Sequence, residues 1–408
     1  MYKAGLDKFN VLTGDLVRNG EDDPHLKVLQ AAHISDDEYF SHMVRDDLNL
    51  IIRDIRENHK KEHIMQGIPL EERKRLGALL DTRPQTEVMA MISQFSQAET
   101  DNFVAPPAQV PKALGVLMFN MERGVNLPEI QEFLRDCPDI QPFDVILANE
   151  LDDGCARSGN KNTARELAQA FGLNYAWGLE FIELVNDENA KGFHGNAVFS
   201  RWPIRRAGVI RLPEQYNWYF DRQKRIGGRL AVYAELDVGG QPVGAVSIHL
   251  ENRTHGEGRQ AQMAAILEAV RRELPDMPLI LGGDLNTNTF DGRAKEDIGA
   301  IAADPALRRR CLEDVGEFEP LLPMCAADGY EIVPKEPRLT RRKPLPDGSF
   351  LPLRLDWILL KGASASESRM ISTAREDFTY ARPDSALARF QGAELSDHNA
   401  VWAMCRLG

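Results

Sequence analysis

Residues 279–286 have the sequence LILGGDLN, a short apolar run followed directly by a polar pair. The run is typical of a buried β-strand. Residues two apart in an extended chain face the same way, so we expect Asp284 and Asn286 to point at one substrate atom. A carboxylate beside an amide can orient a water molecule there, and Gly282 and Gly283 allow a close approach of another backbone. The alternative is an Asx turn that only ends the strand.

A histidine and a carboxylate lie next to two predicted strands nearer the C-terminus. His398 belongs to LSDHN, residues 395–399, just before a strand predicted over residues 399–405. Asp356 opens a strand predicted over residues 355–360. A histidine can act as a general acid or base when a carboxylate fixes its tautomer, and Asp356 could do so for His398. Taken alone, LSDHN also fits a capped turn.

A metal site is indicated by DVILANE, residues 144–150. Glu150 ends this predicted strand, and Mg²⁺ typically takes one or two protein carboxylates beside waters and substrate phosphate. FNME, residues 119–122, again places polar residues two apart after a strand, among them Asn120. His249 ends the predicted strand in SIHLE, where a lone histidine is more often a satisfied core residue.

Together these segments resemble the endonuclease/exonuclease/phosphatase superfamily, which includes DNase I-like nucleases, abasic-site endonucleases, neutral sphingomyelinases and inositol polyphosphate phosphatases. The resemblance covers about residues 113 to 405 and rests on the order of the motifs, which are FNxE, NE, HGNAVFSRWPI, SIHL, GGDLN, LDWI and SDH. It implies an α/β fold, a four-layer sandwich of two packed mixed β-sheets flanked by helices.

The resemblance also implies a divalent metal ion, Mg²⁺ or Mn²⁺. Glu150 resembles its main ligand, Asn120 lies beside it, and Asp397 is similar to a carboxylate that helps to hold it. Asp284 and Asn286 resemble the pair that orients the attacking water. Whether one or two metal ions bind stays open.

The remaining implied roles concern the scissile phosphate. His398, held by Asp356, resembles the histidine beside that phosphate. His249 resembles a donor to a phosphate oxygen, and Asn196 in HGNA resembles the amide that lines the phosphate site. Either Asp284 or His398 could deprotonate the water.

Some features depart from the family pattern or lie outside it. Asn149 stands where the family often has glutamine, and residues 150–159 are similar to a bacterial subgroup known only by the superfamily name. The arginines Arg157, Arg225 and Arg229 could clamp phosphate, although they could equally be solvated surface residues. The basic run of residues 338–343, RLTRRK, could line a phosphate-rich substrate, but a charged run in a loop is usually solvated.

The chain divides, by pattern, into a helical region at residues 1–105 and a catalytic domain at residues 106–408. A capping box at residues 35–38 predicts one helix, and apolar spacing before and after residue 84 predicts two more. Residues 103–111, FVAPPAQVP, have the composition of a linker. We treat the five histidines before residue 64 as surface or packing residues. The N-terminal region could mediate dimerisation, dock a partner or cover the site.

Composition limits the function classes. The net charge of −13 lowers the odds of long-duplex binding, because phosphate neutralisation by basic residues supplies most of that affinity. We find no apolar stretch of the ~18 residues that a membrane span needs and no secretory signal. Five scattered cysteines suggest neither disulfides nor a zinc site. We therefore expect a cytoplasmic protein with reduced thiols.

The sequence thus predicts divalent-metal-dependent hydrolysis of a phosphoester. The first hypothesis is a nuclease or other phosphodiesterase on short or single-stranded nucleic acid. The alternative is a phosphodiesterase or phosphatase on a small molecule, a phospholipid headgroup or an inositol phosphate. A third is a non-catalytic protein on the same scaffold, which the intact set of polar motif residues disfavours.

Overall fold

The computed structural model describes residues 64–287, 290 and 294–408. It also describes two short strands nearer the start, Phe9–Asn10 and Asp15–Leu16, which pair antiparallel. Contacts divide the chain into two compact units, Met1–His63 and Ile64–Gly408. The helix predicted after residues 35–38 and the five N-terminal histidines fall outside the described residues. The predicted site residues all belong to the second unit.

Sixteen β-strands lie in the described part of Ile64–Gly408. In chain order they are β1 (Ala98–Asp101), β2 (Leu114–Arg123), β3 (Val145–Asp153), β4 (Asn174–Glu183), β5 (Phe193–Ser200), β6 (Ile204–Arg211), β7 (Arg225–Gly227), β8 (Leu230–Val238), β9 (Gln241–His249), β10 (Leu279–Asp284), β11 (Glu331–Val333), β12 (Arg341–Pro344), β13 (Phe350–Leu353), β14 (Asp356–Lys361), β15 (Ala363–Ile371) and β16 (Ala400–Leu407).

These strands form two sheets and a separate hairpin. The larger sheet has the order β15-β16-β2-β3-β5-β4-β1, and β7 pairs with β4 beside this path. The smaller sheet has the order β11-β14-β10-β9-β8-β6, while β12 pairs with β13. The pairs β2–β3 and β9–β10 are parallel and the other neighbours are antiparallel, so both sheets are mixed.

Ten α-helices accompany the strands among the described residues. They are α1 (Leu70–Leu79), α2 (Gln85–Ala90), α3 (Leu127–Asp136), α4 (Thr163–Phe171), α5 (Gly256–Glu273), α6 (Lys295–Ala303), α7 (Pro305–Glu313), α8 (Val315–Phe318), α9 (Leu321–Ala327) and α10 (Ala386–Arg389). Each of these helices is too short or too polar to cross a membrane. Capping sets some of their ends, since the Asn162 side chain accepts a hydrogen bond from the Arg165 amide at the start of α4.

The core lies between the two sheets and on their outer faces. Because side chains alternate along a strand, Ile280 of β10 and Ile358 of β14 point into the cluster between the sheets. Their neighbours Leu281 and Leu359 point outward against α5 and α9. On the larger sheet, Phe119 of β2 packs outward with residues of α3 and α4. The layers are therefore helix, sheet, sheet and helix, which confirms the predicted four-layer α/β sandwich.

Residues 64–105 belong to the same compact unit as the sandwich. The helices α1 and α2 confirm the two predicted on either side of residue 84. The prediction that residues 1–105 are all helical is wrong at β1, which adds to the sheet edge by pairing antiparallel with β4. Val88 and Phe95 are buried in the same cluster as the larger sheet. The unit thus begins at Ile64 rather than at residue 106, and residues 103–111 connect two strands of one sheet.

Candidate active site

Polar side chains from both sheets meet at one end of the sandwich. The parallel strands β9 and β10 end there together, with His249 opposite Asp284. Antiparallel β14 begins there, with Asp356 opposite Asp284. On the other sheet, β2 and β3 place Asn120 opposite Asn149, just before their pairing becomes irregular. Strand direction therefore gathers residues that are far apart in the sequence.

Asp284 lies at the centre of this arrangement. Its Oδ2 accepts a hydrogen bond of 3.2 Å from Asn120 Nδ2, which links the two sheets. The Nε2 atoms of His249 and His398 both lie 3.6 Å from the same oxygen. The backbone N–H of Asn286 donates to Asp284 Oδ1 over 3.0 Å. Side chains predicted from separate motifs thus converge on Asp284, namely those of Asn120, His249 and His398.

Asn149 holds the backbone of this centre in place. Its Oδ1 accepts from the Asp284 amide over 2.8 Å, and its Nδ2 donates to Ser247 Oγ over 3.2 Å. Ser247 Oγ in turn donates to the Ala148 carbonyl. All of these groups are buried. Asn149 is therefore a positioning residue that the sequence reasoning noted only as a departure from the family pattern.

His398 and Asp356 form the predicted pair. Nδ1 of His398 lies 2.9 Å from the Asp356 carboxylate, and both side chains are buried. Burial favours the neutral imidazole, but Asp356, Asp284 and Asp397 together raise the pKa of His398 to about 10. The protonated ring then donates from Nδ1 to Asp356 and leaves the Nε2 proton facing Asp284. His398 is thereby equipped to donate to a phosphate oxygen.

Glu150 is held in an unusual backbone conformation within β3, where the pairing with β5 is irregular between Ala148 and Leu151. Its φ is 55°, and its N–H donates to Asn196 Oδ1 over 3.2 Å. Its Oε1 lies 3.4 Å from Asn120 Nδ2. Burial alone would raise the pKa of Glu150. The charges of His194 and Arg123, and to a smaller extent those of His249 and His398, keep this pKa well below its usual range. Glu150 is therefore an ionised carboxylate turned toward Asn120.

Left-handed backbone conformations cluster at this end of the sandwich. Glu122, Arg123, Glu150 and Asn286 have φ values of 42°, 69°, 55° and 50° and are four of the six non-glycine residues with positive φ in the described chain. Such conformations cost of order 1–3 kcal/mol each and concentrate at functional sites. The clustering supports a functional role for this end.

The match to a known family agrees with this geometry. Residues 119–398 match the family described as "Endonuclease/Exonuclease/phosphatase family". The chain belongs to this family. Its members are hydrolases that act on phosphoester bonds, and they generally use a divalent metal ion.

Several solved structures and one curated protein are similar to this family member. The endonuclease/exonuclease/phosphatase from Beutenbergia cavernae is 19% identical, with a TM-score of 0.48 over 73% of this chain and 72% of that one. D. rerio TDP2 complexed with single strand DNA product is 16% identical, with a TM-score of 0.43 over 72% and 99%. Geranylgeranylglyceryl phosphate synthase of Thermococcus gammatolerans is 25% identical over 154 residues, 36% of this chain and 58% of that protein's length. The family assignment rests on the match over residues 119–398.

Three carboxylates near the end of β2 suit the divalent ion of the family. Asp397 N–H donates to Glu122 Oε2 over 3.1 Å. Burial, and then the charges of Asp397 and Glu150, raise the pKa of Glu122. Arg123 lies 3.9 Å from Glu150, so it neutralises the cluster weakly. These hard oxygen donors fit Mg²⁺ or Mn²⁺.

The predicted metal residues Asn120, Glu150 and Asp397 lie near one another, with Glu122 beside them, and their role as metal ligands stays a prediction. Glu122 was not among the predicted residues, although it follows Asn120 by two positions in FNME. Both polar atoms of the Asn120 side chain are hydrogen-bonded. Nδ2 donates to Asp284, and Oδ1 accepts from the Glu122 backbone N–H. Asn120 therefore positions the carboxylates.

A second group of potential ligands lies close by. Ligand atoms of Asp284, Asp356 and His398 are within 4.8 Å of one another. His398 Nδ1 is already bonded to Asp356, and a protonated imidazole offers no lone pair to a metal. Among the described residues, Asp284, Asp356 and His398 form such a group, whereas the carboxylates of Glu122, Glu150 and Asp397 do not all lie within that distance of one another.

His249 has polar partners on several sides. Its Nδ1 lies 3.1 Å from Glu180 Oε2, and the Arg229 guanidinium lies 2.8 Å from Nε2. Arg229 also pairs with Glu180 at 2.8 Å and with Glu251 at 3.4 Å. The positive charges of His249 and Arg229 overcome burial and lower the pKa of Glu180 to about 2. Asn196 Nδ2 donates to the same carboxylate over 3.3 Å, so both predicted phosphate donors share one anchor.

The three predicted arginines are held by carboxylates. Arg157 bonds Asp152 at 2.7 Å, and Arg225 lies 3.0 Å from Glu183. Arg225 and Arg229 are 5% and 6% exposed, so the solvated-surface alternative is wrong for them. Their role in substrate binding stays a prediction.

One arginine of the basic run 338–343 reaches the site. Arg341 contacts Asp397 and lies with Nη1 3.0 Å from His398 Nε2. That contact is a hydrogen bond only when His398 is neutral, whereas the surrounding carboxylates favour the protonated ring. Arg338 instead pairs with Glu336 at the surface, 63% exposed, as expected of a solvated run.

Proposed function

We propose that this chain is a divalent-metal-dependent phosphodiesterase that hydrolyses its substrate with Asp284, Asn286 and His398. The observation that supports this most directly is the Asp284 carboxylate, which two histidines and the Asn120 amide face at once. Hydrolysis of a phosphoester needs a correctly oriented water molecule. It also needs hydrogen-bond donors that stabilise the negative charge developing on the phosphate oxygens.

Asp284 is suited to act on the attacking water. An ionised carboxylate only accepts hydrogen bonds, so a water bound to it is turned with its lone pair toward phosphorus. As the water oxygen bonds to phosphorus, its proton passes to Asp284. The leaving oxygen departs with the electron pair of the broken P–O bond and takes a proton from solvent. Positioned acid–base groups typically contribute ~10²–10⁴ in rate.

The two histidines are suited to hold the phosphate. Protonated His398 donates from Nε2, and Asp356 fixes its orientation from the other side of the ring. Nδ1 of His249 lies 3.1 Å from Glu180 Oε2, which fixes the ring before substrate binds and leaves Nε2 facing Asp284. Donors fixed in advance cost little reorganisation during the reaction.

A divalent cation bound by Glu150, with Glu122 and Asp397 nearby, would supply charge neutralisation at the phosphate, typically several kcal/mol. The ionised state of Glu150 matches this role. The net charge of −13 favours short or single-stranded nucleic acid over a long duplex. The alternative substrate is a small molecule, a phospholipid headgroup or an inositol phosphate. A cytoplasmic location and a docking role for the N-terminal region are further proposals.

The test is hydrolysis by the full chain of bis-p-nitrophenyl phosphate and p-nitrophenyl phosphate, with Mg²⁺, with Mn²⁺ and with EDTA. Labelled single-stranded and duplex DNA are assayed in parallel. Metal-dependent cleavage of the diester and of DNA, both lost in Asp284→Ala, is the expected result. The matched control is Asp139→Asn, which should retain activity. The Asp139 side chain is 66% exposed and pairs with Arg369 rather than with a residue of the candidate active site.

Each other outcome selects an alternative. Turnover of diester or monoester with DNA intact would favour the small-molecule substrate. Near-normal activity of purified Asp284→Ala would refute the proposed role of that carboxylate. No turnover of any substrate would favour the non-catalytic scaffold.

A further inference from the structure

Arg123 lies in a strained turn at the end of β2. The Met121 carbonyl accepts from the Gly124 N–H over 2.9 Å and closes a turn whose two central residues, Glu122 and Arg123, have φ values of 42° and 69°. Turns with two positive φ values favour asparagine and glycine, so an arginine is uncommon there. The pairing of β2 with β3 is irregular between Asn120 and Arg123, and such irregularities re-aim side chains next to active sites. The strained backbone therefore sets where the Arg123 side chain lies.

The Arg123 guanidinium lies beside Glu150 but donates no hydrogen bond to any described residue. Its Nε is 3.9 Å from Glu150 Oε2, which is too far for a hydrogen bond, and this nitrogen is buried and unpaired. Arg73, Arg354 and Arg369 also have an unpaired Nε, but each donates from a terminal nitrogen to a carbonyl or carboxylate oxygen. Arg123 differs from them because the described residues supply no acceptor for its guanidinium.

The chemistry of the guanidinium indicates which acceptor is missing. A buried donor without an acceptor is unfavourable, and a guanidinium matches the oxygens of a phosphate with its planar fork of donors. The Arg123 side chain is 31% exposed, so a ligand can reach it. Glu150 is the carboxylate proposed to hold the divalent cation at the substrate phosphate. Arg123 is therefore next to the place proposed for that phosphate.

We propose that Arg123 binds a nonbridging oxygen of the scissile phosphate, on the Glu150 side of the site. The phosphate contacts predicted from sequence are histidines, an amide and other arginines, so Arg123 is a further substrate-binding residue. This inference rests on the proposed phosphodiesterase function, from which it takes its ligand. The alternative role is that of a counter-ion, which offsets the charge of Glu150 and does not contact substrate.

The test measures binding of inorganic phosphate to the full chain by calorimetry, at saturating Mg²⁺ and constant ionic strength. Arg123→Gln should weaken phosphate binding about tenfold, the size of one charge-assisted hydrogen bond. Its Mn²⁺ affinity without phosphate should not fall, because the variant loses a positive charge beside Glu150. Arg123→Lys keeps the charge but loses the fork, so its phosphate affinity should lie between those of Arg123→Gln and the wild type.

Arg201→Gln is the matched control. Arg201 lies 3.5 Å from Asp144 at the other end of β3, and its Nε donates to the Phe143 carbonyl. This variant should bind phosphate as the wild type does. Equal phosphate affinities of Arg123→Gln and the wild type would overturn the inference and leave Arg123 as a counter-ion. A parallel fall in Mn²⁺ affinity would also overturn it, because the weaker phosphate binding would then follow from loss of the cation.

Turnover distinguishes failure of this inference from failure of the proposed function. The same variants are assayed with bis-p-nitrophenyl phosphate. If the wild type hydrolyses this diester while its phosphate affinity does not depend on Arg123, only the inference fails. If phosphate binding depends on Arg123 in a chain that hydrolyses no phosphoester, the inference is supported and the proposed hydrolysis is refuted.

Discussion

The carboxylates at the candidate active site and those directly behind it differ in what neutralises them. Behind the site, three acidic groups each have an arginine partner within 3.0 Å. These pairs are Arg229–Glu180, Arg225–Glu183 and Arg157–Asp152. The arginines complete the charge balance, so this rear region needs nothing further to be stable.

The front cluster of Glu122, Glu150 and Asp397 has no such balance. Arg341 contacts Asp397, but Arg123 is 3.9 Å from Glu150, and the other carboxylates raise the pKa of Glu122. The two regions are close in the fold, yet the rear carboxylates pair directly with arginines, whereas the pKa of Glu122 in the front region is raised by burial and by neighbouring carboxylates. This difference indicates that a cation binds in the front region. It predicts that substitutions in the front region mainly reduce function, whereas substitutions in the rear region mainly reduce stability.

The largest effect is expected on catalysis in the front region. His398→Gln removes the protonated donor, and turnover of bis-p-nitrophenyl phosphate should fall by about 10²–10⁴-fold. Turnover is compared well below the unfolding temperature of the variant, because glutamine can bond Asp356 but no longer offsets its buried charge. His255→Gln, at an exposed residue whose side chain caps nothing, should retain activity. Comparable turnover of His398→Gln and wild type would show that the front region is not catalytic.

The next largest effect is expected on stability in the rear region. Arg229→Met leaves Glu180 and Glu251 buried without their arginine, and losing one partner of a buried pair typically costs about 3–5 kcal/mol. Urea unfolding measures this. Arg75→Met, which breaks a solvent-exposed pair with Glu72, should leave the free energy of unfolding nearly unchanged. Equal stability of Arg229→Met and wild type would mean that the rear arginines do not hold the fold.

Much of the front region could be predicted from sequence because its residues sit at strand ends. The apolar run at residues 279–282 defines β10, and the position of Asp284 after it fixes where the carboxylate lies. The same reasoning placed Asp356 at the start of β14, but the strand predicted to end at Glu150 continues to Asp153. Motif order then brought in His398, which no local pattern connects to Asp284.

Elements that depend on distant partners could not be predicted. The strand β1 has the sequence AETD, which carries little strand propensity. It forms because β4 offers an edge and because Glu99 accepts from the Met65 amide at 2.7 Å and from Asn162 at 2.9 Å. These partners belong to other segments, so no local pattern reveals them.

Charged residues gave the least reliable local signals. Arg225 and Arg229 are buried only because carboxylates from other strands meet them. Arg341 lies in a run that looks solvated, and the hairpin carries it to His398. Burial of a charge depends on its partner, and a sequence read locally does not contain the partner.

Metal affinity provides a sharper test of the front region. Glu150→Gln removes the ionised carboxylate proposed as the main ligand, and Mn²⁺ binding measured calorimetrically should weaken about 100-fold, at the upper end of what changes around metal sites produce. Glu188→Gln, at an exposed carboxylate, should bind Mn²⁺ as the wild type does. Unchanged Mn²⁺ affinity in Glu150→Gln would move the metal away from this carboxylate.

The smallest effect, about tenfold in Mn²⁺ affinity, is expected from Glu122→Gln. Glutamine keeps an oxygen that can accept from the Asp397 amide but removes one negative charge. A carboxyl whose pKa is raised in the folded chain gives stability below its unfolded pKa that is lost as pH rises through the folded value. In EDTA at neutral pH the variant should therefore be no less stable than wild type, and with Mn²⁺ it should gain less stability. A loss of stability in EDTA would mean that Glu122 is balanced like the rear carboxylates, and the distinction between the two regions would fail at that residue.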